Sequence, residues 1–298
     1  MWPSVSLKVE DTQEVDQQKL AIPGWAQEYT QISPGAFRGR TVHAQTDSVE
    51  IFEELMNLRV EQAFHAPEHA LVFSFDMNEN TLYLLNERTC NSWVTPENYR
   101  ELSVVIKRDD LALMSSEALG IDDLILTPLR SQYCRLFASW LSKMLSDAAN
   151  GPASISHQHL GEQLLEDCCF ILEHGLEVGV KDVRAAEAKR VIQRVIERVN
   201  DCPQDNLCAL ELAKVAGVSV RHLQHLFKQY SGLTPTQWLR TRRLNAARRD
   251  LMRASSQDVT VAEVAMRWSF WHLGRFSDSY RALFGEYPRA TLSRAGVR

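Results

Sequence analysis

The sequence predicts an α+β protein in two parts: a mainly antiparallel β domain with flanking helices over residues 1–185, then an all-α domain over residues 190–298. Three observations carry this. Short apolar stretches alternate with turn formers from residue 38 to 126, the apolar period becomes helical from Ser131 onward, and charge divides between the parts. From Lys189 to Arg298 there are 19 Lys+Arg against 9 Asp+Glu, while the rest of the 298 residues hold 14 against 29, so the net charge of −5 averages a basic and an acidic half. A basic domain suits a polyanionic partner, because each phosphate neutralised by Lys or Arg releases condensed counterions.

A hydrophobic content of 45% beside 24% charged residues is that of a folded globular chain, long enough for two cores. The start, Met1-Trp2-Pro3-Ser4 followed by polar and acidic residues through Gln18, lacks the basic lead and apolar centre of a signal peptide. The longest apolar run, Cys168 to Leu172, is about a quarter of a membrane span. The expectation is a cytoplasmic protein with no membrane partner. Cys90, Cys134, Cys168, Cys169, Cys202 and Cys208 fit no CxxC or zinc-ribbon spacing and read as reduced thiols, with Cys168-Cys169 the one candidate redox pair.

In the first domain, strands are expected at residues 41–45, 49–52, 70–75, 81–85, 92–95 and 102–106, with turns at 76–80 and 95–98, giving an antiparallel sheet rolled into a cupin-like barrel. Leu136, Phe137, Trp140, Leu141, Met144 and Leu145 then recur at helical spacing. Leu164, Leu165, Cys168, Cys169, Ile171 and Leu172 do the same after Asn150-Gly151-Pro152. These two helices either cover the sheet or form a dimer contact. A charged helix over 183–199 links the domains or opens the second.

The second domain carries one layout twice. Around 209–230, Ala213 is small where two helices approach, Gly217 permits a tight turn and Ser219 is an N-cap. In the helix that follows, Leu223, Leu226 and Phe227 point inward and leave Arg221, Gln224, His225 and Lys228 on the other face. Around 261–284 the layout recurs: a support helix, the turn Trp268-Ser-Phe-Trp271, and a second candidate recognition helix with Phe276, Tyr280 and Phe284 inward. Between the units, Trp238, Leu239, Leu244, Ala247 and Leu251 make one face of a connecting helix whose other face holds Arg240, Arg242, Arg243, Arg248 and Arg249. Two helix-turn-helix units fixed by one helix can reach successive major grooves, roughly 34 Å apart.

The run Gly232-Leu-Thr-Pro-Thr-Gln-Trp-Leu-Arg-Thr-Arg-Arg-Leu-Asn-Ala-Ala-Arg248 resembles the C-terminal domain of the AraC/XylS family of bacterial transcription regulators. Val261-Ala-Glu-Val-Ala265 and Phe276-Ser-x-x-Tyr-Arg-x-x-Phe-Gly-Glu-x-Pro288 extend the resemblance. Trp271-His-Leu-Gly-Arg-Phe276 looks closest to the XylS and ethanolamine-operon regulator branch. The resemblance implies an effector-sensing, self-associating first domain and a second domain that binds double-stranded promoter DNA and contacts RNA polymerase. It implies an activator of a metabolic or virulence-type operon, a homodimer, a small-molecule effector of unspecified identity, and no cofactor.

The family's base-reading positions fall on Arg221, Gln224 and His225 in the first unit and on Leu273, Gly274, Arg275 and Asp278 in the second. Arg221 can fork onto guanine and Gln224 onto adenine, each worth about 1–3 kcal/mol of discrimination. In the second unit, Arg275 is expected to carry most of the readout, Ser269 stands where the turn usually has glycine, and Asp278 repels phosphate. Ser219, Lys228, Arg242, Arg243 and His272 are assigned to phosphate contacts and positioning. Trp25, Phe37, Phe75 and Trp93 are candidates to line an effector pocket.

Two other readings were weighed. One is a regulator controlled by a protein partner without a small ligand. The other is a cupin-type metal enzyme, because Gly151-x5-His157-x-His159 matches the start of that motif. The glutamate expected four or five positions later is absent: Gln163 and Leu164 hold those places and Glu162 is three away. His43, His65 and His69 lack partners at ligand spacing, and no GxSxG, Walker loop or GxGxxG is present. No catalytic or metal-binding residue is assigned.

Overall fold

The computed structural model describes residues 6–110, 121–150, 160–174, 177–178, 183–254 and 259–295. The chain opens with β1 (Ser6–Thr12), α1 (Val15–Leu20) and β2 (Ala26–Gln31). There follow β3 (Gly39–Gln45), β4 (Val49–Met56), β5 (Val60–His65), β6 (Ala70–Asp76), β7 (Thr81–Asn86), β8 (Cys90–Val94) and β9 (Tyr99–Lys107). The six expected strands are all present. Asn80 and Asn98 take left-handed φ of 51° and 54° in the two flagged turns, a conformation asparagine tolerates. Next come α2 (Ile121–Leu124), β10 (Leu129–Arg130), α3 (Gln132–Asn150), α4 (Leu160–His174) and β11 (Glu177–Val178).

The strands form two antiparallel sheets rather than the expected closed barrel: β1-β3-β4-β9-β6-β7-β10-β11 and β2-β5-β8. Period two explains the layering. On the large sheet, Ile51, Phe73, Leu102 and Val104 pack against Phe137, Leu141, Leu145, Leu164 and Cys168 of α3 and α4. Their neighbours Phe52, Val72 and Val105 face the other way and pack against Phe64 of the small sheet. The two flanking helices therefore do cover the sheet. They also leave Tyr133, Leu136, Trp140 and Phe170 largely exposed.

The helical domain comprises α5 (Val183–Asp201), α6 (Ala209–Ala216), α7 (Val220–Ser231), α8 (Pro235–Arg253), α9 (Val261–Arg267), α10 (Leu273–Phe284) and α11 (Pro288–Ala295). Each helix-turn-helix unit has its own core. Val191, Val195 and Ile196 of α5 join Leu212, Ala213, Leu223, Phe227 and Trp238 in the first. Leu244, Ala247, Leu251, Val264, Phe276, Tyr280 and Phe284 form the second, so α8 supplies its N-terminal half to one core and its C-terminal half to the other.

Among the described residues no group of His, Cys, Asp and Glu is arranged to hold a metal, and no helix is long and apolar enough to cross a membrane. His157 and His159 lie outside the described residues. His43 is held by Glu50 at 2.8 Å. Cys168 is buried, and burial, with Cys169 beside it, raises its thiol well above the ordinary range, which leaves little nucleophilic thiolate.

Candidate nucleic-acid interface

The two units close their turns with one motif. In the first, the Val218 N–H donates to the Ala213 carbonyl and the Gly217 N–H to the Lys214 carbonyl, with Gly217 left-handed at φ 70°. In the second, Phe270 donates to Ala265 and Ser269 to Met266, with Ser269 left-handed at φ 62°. This pairing satisfies the orphan carbonyls at a helix end and needs one residue at positive φ. Both support helices open with a capping box, Cys208 with Glu211 and Thr260 with Glu263.

The recognition helices are started differently. Ser219 accepts from the His222 N–H at 3.2 Å and caps α7, as expected. His272, at the same place before α10, makes no side-chain cap bond. On α7, Arg221, Gln224, His225 and Lys228 are all exposed. Lys228 donates to the Gly232 carbonyl at 2.9 Å, while Arg221, Gln224 and His225 make no side-chain hydrogen bond among the described residues. Such a face can donate to guanine O6 and N7 and pair with adenine. On α10, Arg275 and Asp278 are exposed, and Leu273 and the preceding Trp271 add exposed apolar surface.

The basic side of α8 departs from expectation. Arg242 and Arg248 lie at the seam to the first domain, while Arg240 stays exposed beside Ser279 of α10. Arg242, assigned to phosphate, donates to Glu61 Oε2 at 2.8 Å and to Asn200 Oδ1 at 2.5 Å. Arg243 donates to the Asp205 carbonyl at 2.9 Å. Arg248 is buried, with 9% of its surface exposed, and reaches Glu14, Glu286 and the Tyr280 hydroxyl. Burial works against its charge, but the Glu14 hydrogen bonds and the nearby Tyr280 and Glu286 outweigh it and hold the guanidinium above its ordinary range.

Glu61 on β5, 1% exposed, is the centre of this seam. Its Oε1 accepts from the Tyr230 hydroxyl at 3.0 Å and the Trp238 Nε1 at 2.8 Å, and its Oε2 from Arg242. Every side-chain bond it makes crosses to the helical domain. Period two is the reason: Gln62 and Phe64 point into the first domain, so Glu61 points out. Asn245 of α8 behaves as a surrogate strand. Its Oδ1 accepts from the Gln31 N–H at 2.9 Å and its Nδ2 donates to the Gln31 carbonyl at 3.0 Å, pairing the free edge of β2. The second unit is tied through the Leu283 carbonyl, which accepts from the Gly35 N–H and from Gln31 Nε2, both at 2.9 Å.

The four expected effector-pocket aromatics do not converge. Trp25 and Trp93 flank Phe64, with ring centroids 5.6 and 4.7 Å from it, and line a cavity of about 20 Å³ with Phe52, Glu54, Gln62 and Glu101. Phe37 is core beside Met56 and Tyr99, and also borders a cleft of about 970 Å³ between the domains. Phe75 packs on Phe137 in the main core, 5.7 Å centroid to centroid. Sequence reasoning missed Glu54, which accepts from Gln18, Tyr29 and Gln62, and whose carboxyl is pushed up to about 8 by burial and then by Glu101. It also missed Trp271 and Glu61. Trp271 sat beside the flagged recognition helix, whereas Glu61 in Val-Glu-Gln-Ala-Phe-His gives no sign of a partner 169 to 181 positions away.

A helix-turn-helix domain model matches residues 212–294. The probable thc operon regulatory protein of Rhodococcus erythropolis is 28% identical over 228 residues, covering 73% of this chain and 68% of that protein. The XylDLEGF operon transcriptional activator of Pseudomonas putida is 36% identical over 100 residues, 34% of this chain, and the match spans only 31% of that protein's length. A solved AraC-type regulator from Chromobacterium violaceum is 26% identical, covers 37% of this chain and 96% of its own, and has a TM-score of 0.34. The Pseudomonas putida XylDLEGF operon transcriptional activator 2 is 34% identical over 107 residues, 36% of this chain and 68% of its own length. With two capped helix-turn-helix units on one connecting helix and this last match, the chain belongs to the AraC/XylS family of DNA-binding transcription regulators.

Proposed function

We propose that the chain is an effector-responsive activator of an operon, whose first domain senses a small molecule and whose seam at Glu61 transmits the outcome to the DNA-binding helices. One observation carries this reading: a buried carboxylate of the β domain holds Tyr230, Trp238 and Arg242, all on or beside the first reading unit. Its neighbour on the strand, Gln62, accepts from Trp93 and donates to Glu54 at the interior cavity. A ligand that shifts Gln62 or Trp93 therefore bears on β5, and differential affinity for the two seam arrangements shifts the population.

Arg221, Gln224, His225 and Arg275 read bases in this scheme. Ser219, Lys228, Arg243 and His272 position the phosphates, and Arg242 joins them only when Glu61 lets go. The exposed Tyr133, Leu136, Trp140 and Phe170 favour self-association through α3 and α4, since a contiguous apolar patch on a protein surface marks a contact.

Glu61→Gln keeps the shape of the side chain and removes its charge. In the full chain the salt dependence of promoter binding should steepen by about one counterion as Arg242 becomes available. An unchanged slope in a gel-shift titration from low to moderate salt would remove the seam from the mechanism.

A further inference from the structure

The second unit holds a glycine that its own fold does not require. Gly274 lies in the first turn of α10, where glycine is a poor choice, being less favourable than alanine in a helix. A Cβ built there would meet nothing within 4 Å, and its φ is not positive. Gly39 is the opposite case, with Gln18 Oε1 only 2.1 Å from where its Cβ would sit. Neither packing nor backbone requires glycine at 274, and the space over it is open to the close approach of a partner.

Apolar groups stand on both sides of it. Trp271, 69% exposed, is the most exposed aromatic of the helical domain, and Leu273 is 40% exposed. Both are at the start of the recognition helix, beside the exposed Arg275. Leucine and glycine offer no side-chain hydrogen bond to a base edge. The apolar feature that a major groove offers is the C5-methyl group of thymine.

We propose that the second unit reads thymine methyl groups with Trp271 and Leu273, and that Gly274 allows the helix to approach the groove closely enough to do so. The inference rests on the DNA-binding reading of the domain. It assigns to the second unit a readout different in kind from the polar face of the first.

The test uses the full chain and duplexes that it selects from a randomised pool, with thymines replaced by uracil one at a time, which removes only the methyl group. One or more replacements should weaken binding by about three- to tenfold, the worth of a buried methyl. Trp271→Ala should bind the thymine and uracil versions alike. Gly274→Ala should melt no lower than the wild type and yet bind the selected duplex more weakly. Uracil duplexes bound as tightly as thymine duplexes would overturn the proposal, as would Gly274→Ala binding unchanged. An equal loss on both duplexes in Trp271→Ala would place that ring on the backbone or on a protein. A pool that yields no preferred duplex would instead sink sequence-specific binding itself.

Discussion

The two helix-turn-helix units share a backbone and differ in everything they show to solvent. Both have a capping box, a left-handed turn residue and a glycine closing the recognition helix, Gly232 and Gly285 with φ of 73° and 77°. The first adds glycine in its turn and a serine cap, and presents Arg221, Gln224 and His225 as exposed hydrogen-bonding groups. The second has serine in the turn, no side-chain cap, and an apolar start to its reading helix. It is also tied from behind to the first domain, through Arg248 with Glu14 and through the Leu283 carbonyl. A duplicated scaffold can thus present a polar face on one copy and a partly apolar one on the other.

The largest test of this contrast removes the tie. Arg248→Met takes from Glu14 and Glu286 their buried cation, leaving them only the more exposed Arg294, and takes one donor from the Tyr280 hydroxyl. Breaking a buried pair from one side costs about 3–5 kcal/mol. The thermal or denaturant midpoint should fall accordingly, whereas the same measurement on Arg242→Met, at the more exposed end of α8, should show a smaller loss. Equal losses would mean that the second unit is not held more firmly than the first.

A smaller effect separates the reading faces. Arg221→Ala should weaken binding to the selected duplex by about 1–3 kcal/mol while nonspecific binding changes little. Arg275→Ala should likewise lose more on the selected duplex than on nonspecific DNA, by less than Arg221→Ala. Equal losses on specific and nonspecific DNA for Arg221→Ala, in a gel-shift titration, would end its assignment as a base reader.

The smallest effect lies in the turns. Ser269→Gly relieves a left-handed serine at the expense of a more flexible unfolded chain, so it should stabilise by at most about 1 kcal/mol. Gly217→Ala, at the matching place in the first unit, should destabilise by about that amount. A melting experiment in which both substitutions move the midpoint in the same direction would contradict the shared turn motif.

Much of this was legible in local pattern. Period two placed the strands from β3 to β9 except β5, whose Glu61 and Gln62 interrupt the apolar run. Period 3.6 placed every helix of the two units, and Gly217 and Ser219 marked their turn and cap because those geometries favour those residues. Exposure of the α7 face followed from the inward positions of Leu223, Leu226 and Phe227. Arg242 and Arg248 of α8 lie against the first domain instead, with Glu61 and Glu14 as partners. A helix face opposite an apolar stripe is solvent-exposed only when no second domain lies on it, and spacing along one helix carries no information about that.

The sequence by itself determined most elements from β3 onward, the duplicated unit, the exposed face of α7 and the division of charge, since each depends on residues a few positions apart. Tertiary structure alone decided that the sheets remain two rather than one barrel, that Trp25 and Trp93 line one cavity while Phe37 and Phe75 lie elsewhere, and that Glu61, Gln31 and Glu14 hold the connecting helix. Those ties to the connecting helix span 177 to 234 positions. Only the folded chain sets the burial, and hence the electrostatics, of such pairs.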